Sequence, residues 1–378
     1  MKIGILSLPL HNNYGGILQA YALQKVLENM GHTVTIIDRT LTIKLPILTK
    51  YYRYAVRLVK NILLNSKLTV RYDKEYNYPI EFMRQHTYPF LLKHMLRLEL
   101  HGDYAALDAN KFDAIIVGSD QVWRPIYFWH APLTDAYLSF AKDWDIKRIS
   151  YAASFGTDVW EYSPEQTAEC GALLQRFDAV SVRESSAVAL CNTHFNVEAE
   201  HVLDPTMLLD AAHYISLFQQ AKTPVSEGDL MCYILDSSEE KDTLVQSVAS
   251  TYSLTPFTVN SKYEVPDAPL EEKIQPPVEK WLRGFYDAKY VITDSFHACV
   301  FSILFKKPFI VYGNKHRGMA RFQSLLSIFG LEERLVTNPE EAQNVITRPI
   351  DWTYVNTQLS EWRNKSLNFL TSSLSLNL

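Results

Sequence analysis

An α/β fold with parallel sheets in two domains is what this sequence predicts, on three observations. Short β-branched, apolar runs alternate with helical stretches, first from Lys2 and again, as a second set, from Leu230-Met-Cys-Tyr-Ile-Leu235. Three successive runs of the first set end in polar, small or arginine residues, as expected where strands share a ligand edge at their carboxyl ends. The chain's 378 residues suffice for two domains of ordinary size, and a composition 47% hydrophobic and 21% charged is that of a globular protein.

Lys2 to Leu8 reads as a buried strand, Leu18 to Met30 as a helix that Gly31 ends, and Thr33 to Ile37 as the next strand. The turn between the first strand and its helix, His11-Asn-Asn-Tyr-Gly15-Gly16, falls at the ligand edge. It lacks a full Gly-x-Gly-x-x-Gly and any Gly-Lys-Ser/Thr, so neither a dinucleotide fingerprint nor a P-loop is supported. Its two glycines serve a ligand or simply permit a tight turn.

From Leu41 to Lys74, Lys44, Lys50, Arg53, Arg57, Lys60, Lys67, Arg71 and Lys74 face a single acidic residue, Asp73, with aromatic and aliphatic residues between them. Such a basic amphipathic insertion rests on an anionic membrane surface or packs on its own domain as a helical excursion. Regular α/β structure resumes at Phe112-Asp-Ala-Ile-Ile-Val-Gly118-Ser-Asp120, where the strand runs into a polar turn with Trp123. Arg148 to Gly156 and Ala179 to Ala187 repeat the pattern, and Asp210 to Ala221 is the expected crossover. The expected organisation is a first domain at 1–212 with a basic helical insertion at about 41–100, a second at 213–345, and a C-terminal segment at 346–378 whose helix is able to return to the first domain.

In the second set, Tyr290 to Thr293 is a strand, Thr293, Asp294 and Ser295 are N-cap types, and Phe296 to Phe305 is an apolar helix leading to the strand Phe309 to Tyr312. His297 then sits in a first helical turn at the ligand edge. An anion bound at the same N-terminus would favour its protonated form, which suits a general acid. The other reading is a buried core histidine bonded to a carbonyl. Lys315 to Phe322 forms a basic loop suited to clamping an anion, or a solvated turn.

A net charge of −5 argues against a general nucleic-acid binder. Cys170, Cys191, Cys232 and Cys299 stand apart without a paired metal spacing and read as reduced thiols. The N-terminus lacks the pattern of a signal peptide, and no run of eighteen apolar residues occurs. The expectation is a cytoplasmic protein, with peripheral contact at the inner face of the membrane if the insertion is interfacial, and with no cofactor or metal.

Six motifs taken together resemble the polysaccharide pyruvyl transferase family: Asn13-Tyr-Gly-Gly16 before Leu-Gln-Ala-Tyr-Ala-Leu23, Gly118-Ser-Asp-Gln-Val-Trp123, Ser150-Tyr-Ala-Ala-Ser-Phe-Gly156, Ser181-Val-Arg-Glu184, Leu203-Asp-Pro-Thr206 and Thr293-Asp-Ser-Phe-His297. They cover about residues 1 to 330. The resemblance implies a GT-B-like fold, two Rossmann-like domains facing across a cleft, and transfer of the pyruvyl group of phosphoenolpyruvate as a ketal onto a sugar or lipid-linked oligosaccharide acceptor.

By the same resemblance, Arg183 binds the donor's carboxylate or phosphate and His297 is the catalytic acid. Ser295, on the donor side, stands where some members carry arginine, and Ala298 where many carry glycine, so either the missing charge comes from Arg317 or Arg321, with His316 beside them, or the donor is bound differently. Asp120 is the candidate general base, or a helix-capping residue. Asn13, Tyr14, Gly15, Gly16 and Trp123 are expected on the acceptor side. The alternatives are a GT-B-type glycosyltransferase using a nucleotide sugar and a non-catalytic glycan-assembly protein.

Overall fold

A computed structural model describes residues 1–128, 131–263, 265–313 and 318–375. The chain opens with β1 (Lys2–Leu6), α1 (Tyr14–Asn29) and β2 (Thr33–Arg39). The helix begins earlier than the apolar period suggests, because the Asn13 side chain accepts the backbone N–H of Gly16 and caps it. Gly15 and Gly16 therefore lie in its first turn rather than in a loop. Gly31, at φ 88°, turns the chain back toward β2.

Next come α2 (Ile47–Leu64), α3 (Tyr72–Met83), α4 (Tyr88–His94) and β3 (Arg97–Leu100). The segment expected as a helical insertion up to about residue 100 thus ends as a strand. β3 pairs in parallel with β2, from Ile36 opposite Arg97 to Arg39 opposite Leu100, so the helices form a long crossover within the sheet. β4 (Ala114–Val117), β5 (Lys147–Ala153), α5 (Pro164–Leu174), β6 (Ala179–Val182), α6 (Ser185–Leu190) and β7 (Glu200–His201) complete the first half. The strand order is β3-β2-β1-β4-β5-β6-β7, all parallel, and it reverses direction between β1 and β4.

The second half runs α7 (Ala211–Gln220), β8 (Leu230–Tyr233), α8 (Glu239–Tyr252), β9 (Pro256–Phe257), α9 (Val278–Asp287), β10 (Tyr290–Thr293), α10 (Phe296–Leu304), β11 (Phe309–Tyr312), α11 (Ala320–Phe329), β12 (Leu335–Val336), α12 (Pro339–Val345) and α13 (Trp352–Ser375). Its parallel sheet has the order β12-β11-β10-β8-β9 and reverses between β8 and β10. Crevices open where strand order reverses, because the crossovers leave toward opposite faces. Both reversals open into one cleft.

Packing holds the halves in register. Every residue of α10 is buried, as expected for a helix apolar on all sides, and one apolar core joins it to α1 and to the first sheet. Tyr14 of α1 stacks on Trp281 of α9 at 5.3 Å. The last helix, α13, returns to the first half: Leu374 O accepts from Lys147 Nζ, and Ser366 Oγ accepts from the Leu203 N–H.

Candidate functional site

The cleft holds about 910 Å³ of empty space, its open mouth included. Asn12 and Asn13 reach it from the turn after β1 and Gly15 from the first turn of α1, Asp120 and Gln121 from the turn after β4, and Tyr233 and Leu235 from the end of β8. Asp294 to His297 arrive from the turn after β10, and Arg321 from α11. Tyr127, Asn260, Tyr263 and Gln275 complete a wall that is mainly polar and aromatic.

His297 lies in the first turn of α10 and is 6% exposed. Its ring is wedged against the start of α1: a Cβ on Gly15 would stand 1.9 Å from Nδ1. Glycine at 15 is thus required by the imidazole, which allows two helix N-termini from opposite domains to meet around it. On its other side, Nε2 lies 3.4 Å from Oδ2 of Asp204, close enough for charge interaction but without hydrogen-bond alignment.

Asp204 is buried below the cleft. Its Oδ1 accepts from the N–H and hydroxyl of Thr206, at 3.0 and 2.7 Å, and its Oδ2 accepts from Arg183 Nη1 at 2.9 Å and Ser119 Oγ at 3.3 Å. Burial alone would raise its pKa, but His297, Arg183 and Thr206 together hold it well below the usual carboxylate range. The ring of His297 therefore has a fixed anionic neighbour.

Arg183 stands one layer deeper than expected. Its guanidinium, fully enclosed, pairs with Asp204 and approaches Asp120 Oδ1 at 3.6 Å, with Cζ 4.4 Å over the Phe296 ring. Its charge is engaged by two carboxylates of the protein itself, so it braces the cleft floor without lining it. Among the described residues the cation that lines the wall is Arg321, stacked over the same Phe296 ring at 5.6 Å. Burial, then repulsion from Arg183, lowers the Arg321 pKa to about 10, against the attraction of Asp120 and Glu184.

Asp120 adopts φ 71°, a left-handed conformation uncommon for a residue with a side chain and often retained where function needs it. Its carbonyl accepts from the N–H groups of Val122 and Ser154, and its Oδ2 accepts from Asn13 Nδ2 at 3.4 Å. The carboxylate thus faces Asn13 and Arg183 across the sheet reversal and does not cap a helix. Asp294 is fully committed: it accepts from the N–H groups of Leu235 and Asp236 and from Lys241 Nζ, fixing the β10 turn to the β8 turn. Ser295, half-buried at the cleft, donates its N–H to Thr293 Oγ1 and leaves its hydroxyl out of the helix cap.

Other expected acceptor contacts are redistributed. Asn13 and Gly15 line the cleft. Gly16 instead completes the cap, and a Cβ there would meet only ordinary contacts. Tyr14 is buried with its hydroxyl donating to Pro276 O. Trp123 is wholly buried, stacked on Tyr137 at 5.2 Å and donating Nε1–H to Ala136 O, because its turn folds inward under β5. His316 and Arg317 lie outside the described residues.

Asp204, Glu184, Gln275 and the aromatic wall escaped the sequence reading as site residues. Glu184 is fully buried, accepting from Ser154 Oγ and from the N–H groups of Phe155 and Gly156, and so shapes the turn after β5. Leu203-Asp-Pro-Thr206 carried a partial signal for Asp204: an aspartate two residues before a threonine forms a self-capping turn, though its burial is decided by packing.

The description "Polysaccharide pyruvyl transferase" matches residues 13–316 of the chain. No curated protein matches by sequence. Among solved structures, Arabidopsis thaliana UGT89C1 complexed with UDP-L-rhamnose is similar at TM-score 0.52 and 10% identity, covering 99% of each chain. UDP-GlcNAc 2-epimerase from Neisseria meningitidis bound to UDP-GlcNAc is similar at TM-score 0.49 and 10% identity over 100% of each chain. The epimerase from Methanocaldococcus jannaschii reaches TM-score 0.48 at 12% identity, over 98% of this chain and 100% of its own. The fold is of the GT-B kind, two parallel-sheet α/β domains across a cleft.

Proposed function

The chain belongs to the polysaccharide pyruvyl transferase family, and on that premise we propose that it transfers the pyruvyl group of phosphoenolpyruvate to two hydroxyls of a sugar, as a ketal. The observation that carries this reading is His297 held at the cleft between Gly15 and the ionised Asp204, with Arg321 on the cleft wall. A compact trianion calls for a buried arginine and helix N-termini, and α1 and α10 both begin at this cleft.

In the proposed reaction His297 delivers a proton to the methylene carbon of the donor, leaving positive character on the carbon that bears the phosphate. The first acceptor hydroxyl bonds to that carbon and gives its proton to Asp120. The bond to the phosphate oxygen then breaks, and the second hydroxyl closes the ketal. Of the two hydroxyl protons, one makes good the proton now in the methyl group and the other leaves with inorganic phosphate. Asp204 orients the imidazole throughout, and Arg183 keeps Asp204 in place.

The test is protection against thermal unfolding by phosphoenolpyruvate, followed by phosphate release and an acceptor mass increase corresponding to a pyruvyl ketal. Protection by a nucleotide sugar and not by phosphoenolpyruvate would overturn the reading in favour of a glycosyltransferase.

A further inference from the structure

The α2 helix is turned inside out relative to an ordinary surface helix. Its polar side faces the protein: Lys50 pairs with Asp73, Arg57 stacks over Tyr72 at 3.9 Å and donates to Thr69 O, and Asn61 donates to Leu68 O. None of its residues is buried. The apolar face points to solvent, with Leu48 86% exposed, Leu63 75% and Ile62 72%, continued by Ile47, Tyr51 and Leu58. Soluble surfaces rarely expose apolar residues so contiguously unless something covers them.

Charge indicates what covers it. Lys44, Arg53, Lys60, Lys67, Arg71 and Lys74, on α2 and the segments flanking it, are all exposed. The one acid between residues 41 and 74, Asp73, is already neutralised by Lys50. We infer that α2 is an interfacial helix that lays its apolar face on an anionic phospholipid surface, its basic rim meeting the headgroups. A second copy fits less well, since a two-fold contact through this face would bring the two basic rims together. Among the described residues no helix is long and apolar enough to cross a membrane, so the helix lies on the surface.

Between α2 and the cleft lies α3. α3, which receives the polar side of α2, ends at Met83, whose carbonyl accepts the Gln275 N–H; the Gln275 side chain donates to Asn12 O, and both residues line the cleft. Resting on the reading of the cleft given above, an enzyme docked in this way would meet its acceptor at the membrane, as a saccharide carried on a lipid anchor.

Flotation of the full chain with vesicles tests the docking. Binding is expected to phosphatidylcholine vesicles containing phosphatidylglycerol, not to phosphatidylcholine alone, and is expected to be lost as salt shortens the screening length from about 10 Å at 0.1 M to about 3 Å at 1 M. Ile62→Glu with Leu63→Glu should lower binding at least tenfold, and Lys60→Gln roughly fivefold. Because both apolar residues are exposed, the double variant should keep its melting temperature and its protection by phosphoenolpyruvate.

No binding at low salt, or equal binding by the double variant, would overturn the proposal. So would a dimer in light scattering that the double variant converts to monomer, which would assign the face to a second copy. Vesicle binding without phosphoenolpyruvate protection would remove the membrane-borne acceptor together with the reading of the cleft, and leave the docking standing.

Discussion

Nε2 of His297 lies 3.4 Å from Oδ2 of Asp204, and the two residues come from opposite domains. The pair therefore exists only when the cleft is assembled, and it couples the position of the imidazole to the packing of α10 on the first sheet. Its two members have different neighbours. His297 touches the cleft, whereas Asp204 also anchors Arg183 and Thr206.

Substitutions at the two positions should consequently fail on different instruments. His297→Gln should keep donor protection and lower turnover by roughly 10²–10⁴-fold, the scale of a lost general acid. Asp204→Asn should lower the melting temperature first, because removing one partner of a buried ion pair costs about 3–5 kcal/mol. Wild-type turnover in a folded, donor-binding His297→Gln protein would end the acid assignment.

The two arginines divide in the same way. Arg321→Gln should weaken protection by phosphoenolpyruvate roughly 10–100-fold, as for a lost hydrogen bond to a charged group, with the fold retained. Arg183→Met should instead destabilise the protein, since Asp204 and Asp120 would both lose their cation. Parallel denaturation and donor titrations of the two variants check the division. Equal donor affinity in Arg321→Gln would remove it from the site.

The difference between these arginines also marks how far the sequence could be read. The strands from Lys2 and Tyr290 and the apolar helix α10 were visible because a β-branched run followed by an apolar helical run is a local pattern. His297 and Asp120 followed from their places at strand ends. That Arg183 would be engaged by Asp120 and Asp204 required knowing that three loops distant in sequence converge, which no local period encodes. Trp123 shows the same limit: its turn was correctly placed at the ligand edge, but whether the indole faces the cleft or Tyr137 is settled by packing. β9 and β12, of two residues each, are too short to carry a pattern.

Acid should weaken the contact between the domains before it unfolds single elements. The His201 ring, near the Arg183 carbonyl and Ser324 Oγ of α11, has its pKa lowered to about 4 by burial. A histidine depressed on folding binds fewer protons in the native state. Its contribution is thus complete above the unfolded pKa near 6.5 and is lost as pH falls toward 4. Between pH 7 and 5 that loss is about 2 kcal/mol. Asp204, also depressed, adds its own loss only at lower pH, from the ordinary carboxylate range downward. Urea midpoints at pH 7 and 5 should therefore differ less in His201→Gln than in the wild type; an unchanged difference would show that His201 does not titrate in this way.

Gly15→Ala separates catalytic geometry from stability most sharply. In a helix, glycine to alanine is favourable by about 1 kcal/mol, and overpacking costs about 1–3 kcal/mol, so the net loss of stability should be no more than about 2 kcal/mol. The new Cβ would nevertheless stand 1.9 Å from Nδ1 of His297, and the ring must move. A displaced proton donor should lower turnover by roughly 10²-fold, since a shift of about 1 Å in a positioned group costs that much. Gly16→Ala is the control one residue along, where a Cβ would lie 3.5 Å from Asn13 and should be tolerated. Turnover and melting temperature measured for both variants decide the matter: if Gly15→Ala and Gly16→Ala turn over alike, His297 is not the residue that α1 was shaped to admit.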